Sequence, residues 1–250
     1  MKGKSFILNI YCDGTDIVFK NTTEEEFNNI WYNYFDFGRN YNDIKKKISE
    51  NDEILQKAVE YAPGIRILNQ DRFECLISFI ISQNNRIPMI KKVISNISKK
   101  YGRYIGSVDG EEYYAFPNPE ELIKADEAGL MECKTGFRAK YIIDAVQKVI
   151  HGEINLNADD MDTETLRKML MTIKGVGPKV ADCTMMFSFG RCETFPTDVW
   201  VKRIMSELYF NGREASVKEI HQKAEECFGD YAGYAQQYLF NYARQFKIGA

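Results

Sequence analysis

The sequence predicts a mainly α-helical fold of the α+β class, with a small antiparallel β-hairpin near its start. After Lys20, apolar side chains recur with the 3.6-residue period of amphipathic helices through most of the 250-residue chain. Before them, the β-prone runs FILNIYC and TDIVFK flank Asp13-Gly14, a dipeptide that tolerates the positive φ of a type I′ turn. The helices are therefore expected to supply the core.

Helical segments follow the predicted hairpin. Thr23 and Glu26 precede an apolar stripe with the spacing of a capping box, which predicts the start of a helix. Further helices are expected over 40–48 and 51–61, before a Pro-Gly pair ends this section.

A central helix is predicted over 73–82, because FECLISFIIS is apolar nearly all round, as in a fully buried helix. Apolar residues from Ile90 onward indicate the next amphipathic helix, and another helix is entered at Phe137-Arg138. Between these two helices, DGEEYYAFPNPEEL is interpreted as a loop that leads into a short helix.

Composition and charge narrow the class of protein. No apolar run approaches the roughly 20 residues that cross a bilayer, so we expect a cytoplasmic protein without a membrane partner. The six cysteines lack the spacing of zinc or iron–sulfur sites, and no metal or cofactor is expected. The net charge of −3 argues mildly against a nucleic-acid partner, but acidic residues concentrate over 109–132 and basic residues over 91–103, which leaves a basic face possible.

The segment IKGVGPKVADC joins two predicted helices, so that 163–188 forms a helix, a hairpin and a helix. Gly175 and Gly177 permit turns that a Cβ would resist, and the proline after them fits the first position of the second helix. The amides of these glycines and of Val180 could bind a DNA phosphate at the helix N-terminus. The glycine pattern alone favours an ordinary αα-corner equally.

Lys179 is the residue of this segment that points to chemistry. At the start of a helix, the dipole and partial burial both disfavour a charged amine, and a neutral amine is a nucleophile. Asp198 comes nineteen residues later, ahead of another helix, where most aspartates act as N-caps and nothing more. A carboxylate beside such an amine is also what a cationic, sugar-like transition state requires. A solvated lysine and a simple cap are the alternatives.

These segments resemble a known family when they are taken together. GVGPKVADC followed by FPTDVWVKR resembles the helix-hairpin-helix DNA glycosylases, and SFIISQNN, GFRAKYI and AGYAQQYLF are similar to the bacterial type of 8-oxoguanine DNA glycosylase/AP lyase. The resemblance implies two helical subdomains with the hairpin at the cleft. It also implies a partial β-containing domain over 1–66 and a helical glycosylase core over 67–250.

The resemblance implies a bifunctional enzyme of base excision repair that flips the damaged base out of the duplex, as glycosylases do. Lys179 would then displace the base and form a Schiff base, strand cleavage would follow by β-elimination, and Asp198 would stabilise positive charge on the sugar. The residues implied for the base pocket are Cys183, Gln236, Phe240 and Asn85.

The resemblance also implies which residues hold the estranged base opposite the lesion. Asn84 and Arg138 match the positions that contact this base, and Phe137 matches the wedge in the stack. Without the resemblance, Asn84-Asn85 would be a helix-ending pair and Arg138 a surface residue. Met89 replaces a second arginine of animal-type relatives, so we expect weaker discrimination among opposite bases. Trp200 replaces a histidine that usually follows the Asp-Val pair.

The expected partner is double-stranded DNA that contains 8-oxoguanine, bound by a monomer in the nucleoid region of a bacterial cytoplasm. Relatives begin with extra strands that take part in lesion recognition, and nothing before Phe6 matches them. The chain is therefore expected to lack the family's extreme N-terminal strands. Two alternatives stay open: a noncatalytic helix-hairpin-helix DNA-binding module, and a glycosylase for another damaged base.

Overall fold

The structure of the protein is a computed structural model that describes residues 7–249. Within that range the chain is mainly helical and has two separate two-stranded antiparallel sheets, which confirms the predicted fold class. The strands are β1 (Asn9–Asp13), β2 (Asp16–Lys20), β3 (Tyr104–Val108) and β4 (Glu111–Tyr114). The helices are α1 (Glu24–Glu26), α2 (Tyr32–Tyr34), α3 (Tyr41–Ser49), α4 (Glu53–Tyr61), α5 (Arg72–Ser82), α6 (Ile87–Tyr101), α7 (Pro119–Leu122), α8 (Glu127–Glu132), α9 (Ala139–Ile150), α10 (Thr163–Leu170), α11 (Pro178–Ser188), α12 (Val199–Tyr209), α13 (Val217–Phe228) and α14 (Ala232–Phe246).

The first hairpin forms as predicted, but its turn is shifted by one residue. Asp13 pairs with Asp16, so the two turn residues are Gly14 and Thr15. Of these two, Gly14 has a positive φ of 65°. A positive φ at the first turn position alone is the requirement of a type II′ turn, so the expected type I′ turn on Asp13-Gly14 is wrong.

A second hairpin, β3 and β4, replaces part of the predicted loop. Its turn is Asp109-Gly110, with φ values of 52° and 82°, as a type I′ turn requires. The same Asp-Gly signal that predicts the first hairpin was therefore present here. The sequence alone does not predict strands on both sides of this turn, because the residues after it are mainly acids and tyrosines. The register of the two strands is also interrupted at Gly106.

The contacts divide the chain into two compact units that are interleaved along the sequence. Unit 1 consists of the chain up to Asn33 and the segments Asp71–Ala158 and Thr172–Val176, and unit 2 consists of Tyr34–Gln70, Asp159–Met171 and the chain from Gly177 onward. The predicted boundary near residue 66 divides the sequence into two continuous parts, whereas each unit of the structure is built from several separate segments.

The core of unit 1 contains α5, which packs against α6 and α9. Asp71 caps α5 by accepting the Glu74 N–H at 2.9 Å, and its apolar residues are buried on several sides, as the uninterrupted apolar run predicts. Helix α14 has the corresponding place in unit 2, where it contacts α3, α4, α12 and α13. No helix in the described part of the chain has the length and apolar character needed to span a membrane.

Candidate active site

Helix α11 presents Lys179 in its first turn, as the sequence predicts. Gly177 is the N-cap, in an extended conformation, and Pro178 takes the first helical position, where its missing N–H costs nothing. The Val180 N–H donates to the Gly177 carbonyl at 3.1 Å, so this predicted phosphate donor is engaged within the first turn. Lys179 itself is half-buried.

Lys179 and Asp198 both act electrostatically on the Cys183 thiol. Burial raises the pKa of the Cys183 thiol to about 12, while the charge of Lys179 and a hydrogen bond from it act in the opposite direction. The charges of Asp182 and Asp198 add to the rise. The amine and the Asp198 carboxylate therefore lie near the same thiol. Because this thiol stays protonated at neutral pH, it can shape the site but is a poor nucleophile.

Asp198 is held in a fixed orientation at the start of α12. One of its carboxylate oxygens accepts the Val201 N–H at 2.8 Å, which confirms the predicted N-cap. The side chain is half-buried, so its charge is less screened than that of a surface aspartate. A carboxylate fixed in this way can stabilise a positive charge that develops beside it.

The segment Phe195–Asp198 is held from two neighbouring helices. The side-chain amide of Gln236, on α14, donates to the Pro196 carbonyl. The Thr197 hydroxyl donates to the Phe195 carbonyl at 3.0 Å, and His221 Nε2, on α13, lies 3.2 Å from the same hydroxyl oxygen. The sequence gives no signal for His221, because a histidine inside an amphipathic helix has no distinguishing pattern.

Gln236 and Phe240 lie together on α14, as their spacing predicts. They line a narrow apolar cleft of unit 2. Gln236 is buried, and its amide oxygen accepts from Gln237 Nε2 at 2.7 Å in addition to the bond that its nitrogen makes. These bonds use one of the two N–H groups and one of the two oxygen lone pairs of the amide, so the side chain can also bond a base. The other residues that line the cleft are Phe195, Val201, Ile204, Met205 and Leu239.

An ion pair joins the two helices on either side of the hairpin within unit 2. Arg167 Nε, on α10, lies 2.6 Å from Asp182 Oδ1, on α11. Burial raises the pKa of Asp182, against the hydrogen bond and charge of Arg167, which lower it. Asp182 stands between Lys179 and Cys183 in the sequence, so this pair fixes the helix that carries both.

Replacing Arg167 with methionine is expected to lower the free energy of unfolding by about 3 kcal/mol, because it leaves the Asp182 carboxylate buried without its partner. The loss should shrink as the pH falls through the raised pKa of Asp182, since the protonated carboxyl needs no countercharge. Urea unfolding at pH 7 and pH 4 measures both effects. Lys168→Met on the exposed face of α10 is the matched control; an equal loss in both variants at pH 7 contradicts the prediction.

The hairpin segment Thr172–Val176 is anchored to α9 within unit 1. Asp144 Oδ2 accepts the Lys174 N–H at 2.8 Å, and the Lys148 ammonium donates to the Thr172 carbonyl. Burial raises the pKa of Asp144, but these amide and lysine partners outweigh it, so the pKa is lowered. Gly175, with φ of 76°, lies against the Tyr141 ring, where a Cβ would be 2.4 Å from ring carbons.

Arg138 is buried, contrary to the surface position that it would have without the resemblance. Its guanidinium donates to the carbonyls of Gln83, Asn84 and Thr135, at 2.8 Å, 2.9 Å and 3.1 Å respectively. Asn84 is exposed and has a left-handed φ of 46°, a conformation that asparagine tolerates. Arg138 therefore braces the loop that presents Asn84, and most of its donors are committed to that loop.

The other residues predicted to contact the opposite strand are at the surface of unit 1. Phe137 is 55% exposed and packs edge to face on Tyr141, with 5.9 Å between ring centroids. Met89 is exposed on the first turn of α6.

Asn85, which is predicted to line the base pocket, is half-buried, and its amide donates to the Ile81 carbonyl at 3.1 Å. Asn85 belongs to unit 1, and the other residues of the predicted base pocket belong to unit 2. Trp200, in unit 2, is exposed on the first turn of α12.

Comparison with known proteins places these features in a family. Residues 77–229 match the model of the HhH-GPD superfamily of base excision DNA repair proteins, and residues 3–76 match that of the 8-oxoguanine DNA glycosylase N-terminal domain. The chain belongs to the HhH-GPD superfamily. The resemblance inferred from the sequence motifs is thereby confirmed.

Relatives of this HhH-GPD protein include lyases from several kingdoms. A probable N-glycosylase/DNA lyase of Methanothermobacter thermautotrophicus is 33% identical over 215 residues, which cover 78% of this chain and 68% of that protein. The N-glycosylase/DNA lyase of Saccharomyces cerevisiae is 36% identical over 71% of this chain, and the match spans 56% of the yeast protein.

A solved structure is similar over almost the whole HhH-GPD protein. It is that of Clostridium acetobutylicum 8-oxoguanine glycosylase/lyase in complex with double-stranded DNA containing cytosine opposite 8-oxoguanine. The identity is 47%, the TM-score is 0.91, and the match covers 96% of this chain and 82% of that one. The same enzyme in its apo form matches with a TM-score of 0.89 and covers 94% of this chain and 82% of that one.

Proposed function

We propose that this HhH-GPD protein is a bifunctional DNA glycosylase and AP lyase that excises 8-oxoguanine from duplex DNA. The observation that carries the proposal is the grouping of Lys179, Cys183 and Asp198, which brings an amine and a carboxylate to one thiol. An amine can form a covalent imine with the sugar, which a carboxylate alone cannot. The names of the relatives agree with this pair of activities.

The reaction begins when the Lys179 amine attacks C1′ of the flipped nucleotide and the glycosidic bond breaks. Asp198, fixed at its N-cap, stabilises the positive charge that develops on the sugar as the base leaves. The sugar then opens to an imine with Lys179. Loss of a proton from C2′ expels the 3′ phosphate by β-elimination, which nicks the strand.

The two units supply different contacts to the duplex. In unit 2, the cleft beside Gln236 and Phe240 takes the flipped purine, with the ring of Phe240 stacked on it. In unit 1, Phe137 wedges into the stack and Asn84 contacts the estranged base. Met89 supplies no charged donor to that base, so the enzyme tolerates bases other than cytosine opposite the lesion. It acts as a monomer in the nucleoid region of a bacterial cytoplasm.

Replacing Phe240 with leucine is expected to slow the excision of 8-oxoguanine about tenfold, because stacking of an aromatic ring on a base contributes roughly 1–3 kcal/mol. Cleavage of a preformed abasic site should change little, since that substrate has no base to stack. Single-turnover assays on both duplexes measure the two steps. A matched Phe246→Leu variant, in an exposed ring farther along α14, is the control. Equal slowing of both steps by Phe240→Leu contradicts a stacking role.

Base release from a panel of lesion duplexes tests the proposed function. The panel contains 8-oxoguanine, an oxidised pyrimidine and an alkylated purine, each opposite the four normal bases. We expect release of 8-oxoguanine opposite several bases, followed by strand nicking. Release of another lesion alone would replace the proposed substrate. Salt-sensitive binding without release of any base would indicate a noncatalytic DNA-binding module.

A further inference from the structure

The catalytic carboxylate follows a short segment that side chains of two other helices, His221 and Gln236, hold. Asp198 follows Thr197 directly, and Thr197 contacts His221 of α13 at 3.2 Å. We propose that His221 is a positioning residue that sets the orientation of Asp198 by way of Thr197. The proposal rests on the proposed function, because it concerns the group that stabilises charge in that reaction.

The Thr197 hydroxyl links the His221 imidazole to the backbone before Asp198. The hydroxyl has one proton and bonds the Phe195 carbonyl at 3.0 Å. When it donates this proton to the carbonyl, its oxygen accepts from His221 Nε2, which lies 3.2 Å away. In this arrangement the bond from His221 fixes the hydroxyl rotamer, and the rotamer fixes the backbone turn that precedes Asp198.

The position of Asp198 depends on this segment as well as on its own cap. The carboxylate accepts the Val201 N–H and the Asp198 carbonyl accepts the Lys202 N–H at 2.8 Å, so both groups are tied to α12. The backbone is extended at Asp198, with φ of −101° and ψ of −175°, and the three residues before it belong to no helix. Bonds from α13 and α14, made by His221 and Gln236, hold it instead.

The surroundings of His221 favour a polar function over simple packing. Its imidazole is half-buried and acts electrostatically to lower the pKa of the Asp182 carboxyl, which is paired with Arg167. An aliphatic side chain would fill the same space on α13 without either interaction. The ring therefore acts on the residue before Asp198 and on Asp182 of α11, the helix that carries Lys179.

The test uses His221→Leu, Thr197→Val and the double variant in the full chain, each measured in single turnover. Each single variant is expected to slow excision of 8-oxoguanine about tenfold, because loss of one hydrogen bond and a small misplacement of Asp198 both raise the barrier. The KM for the duplex should stay within about twofold. The double variant should be no slower than either single variant, since both remove the same bond.

Two further variants separate positioning from stability. His221→Gln keeps an N–H donor and should recover most of the rate, which a purely structural loss would not allow. His151→Leu replaces the other histidine, which is exposed at the end of α9, and should match the wild type. If His221→Leu does not fold, the comparison of Thr197→Val with Thr197→Ser decides, because serine keeps the accepting hydroxyl.

The outcomes distinguish this inference from the proposed function. If the wild type cannot be trapped on lesion DNA with borohydride, the proposed function fails first. If the wild type is trapped and the His221 and Thr197 variants excise at the wild-type rate, or their effects simply add, the positioning role of His221 is overturned alone. Nonadditive slowing with unchanged KM and rescue by glutamine supports it.

Discussion

Replacing Lys179 with glutamine is expected to abolish borohydride trapping of the protein on duplex DNA that contains 8-oxoguanine. The covalent intermediate requires an amine that can form an imine with C1′, and an amide nitrogen cannot. Excision should fall by at least about a thousandfold, since removal of a covalent nucleophile leaves only binding and charge stabilisation. Binding of the duplex should persist, because the hairpin and the residues of unit 1 are unchanged.

The control for this variant is Lys168→Gln on α10, whose side chain is 74% exposed. It removes one positive charge from the same helix-hairpin-helix segment without touching the thiol site. Trapping by the control at the wild-type level, together with none by Lys179→Gln, isolates the amine. A covalent yield that survives in Lys179→Gln would remove Lys179 from the mechanism.

The parts of the fold that the sequence predicts well are those fixed by local signals. The capping box at Thr23 forms: the Thr23 hydroxyl accepts the Glu26 N–H, and the Glu26 carboxylate accepts the Thr23 N–H. The apolar run predicted over 73–82 is helix α5, and Asp198 caps α12 as its position suggests. In each case neighbours within one helical turn decide the outcome, so periodicity and capping residues carry enough information.

The parts that the sequence does not predict depend on contacts between distant segments. Arg138 turns inward to the Gln83 carbonyl, 55 residues away, and His221 reaches Thr197, 24 residues away. Neither contact leaves a periodic pattern. The interleaving of the two units is invisible for the same reason, since it depends on which helices pack and not on where they start.

In the candidate site, too, the sequence predicts the features set by local signals and does not predict those set by distant contacts. Lys179 and Asp198 could be selected because one follows a glycine-rich turn and the other precedes a helix. Lys179 and Cys183 are one turn apart on α11, which the spacing predicts, whereas the effect of Asp198 on the Cys183 thiol comes from tertiary packing and needed the structure. The Arg167–Asp182 pair was missed because charged residues in amphipathic helices are more often solvated.

Replacing Gly175 with alanine is expected to displace the hairpin that precedes the catalytic helix. The residue has φ of 76°, which costs a non-glycine residue about 1–3 kcal/mol. Its Cβ would also stand 2.4 Å from carbon atoms of the Tyr141 ring, a distance that forces either the ring or the hairpin to move. Because Asp144 and Lys148 hold the hairpin on α9, strain at this point is transmitted to the backbone amides that are predicted to bind a DNA phosphate.

The duplex affinity of Gly175→Ala is therefore expected to fall at least about tenfold, with a midpoint of thermal unfolding several degrees lower. Fluorescence anisotropy at fixed salt and thermal unfolding measure the two effects. Gly177→Ala is the matched control, since Gly177 has a negative φ and no atom within 4 Å of the added Cβ. If alanine weakens binding equally at both positions, the loss comes from the helix start in general, and the close approach to Tyr141 is not what places the hairpin.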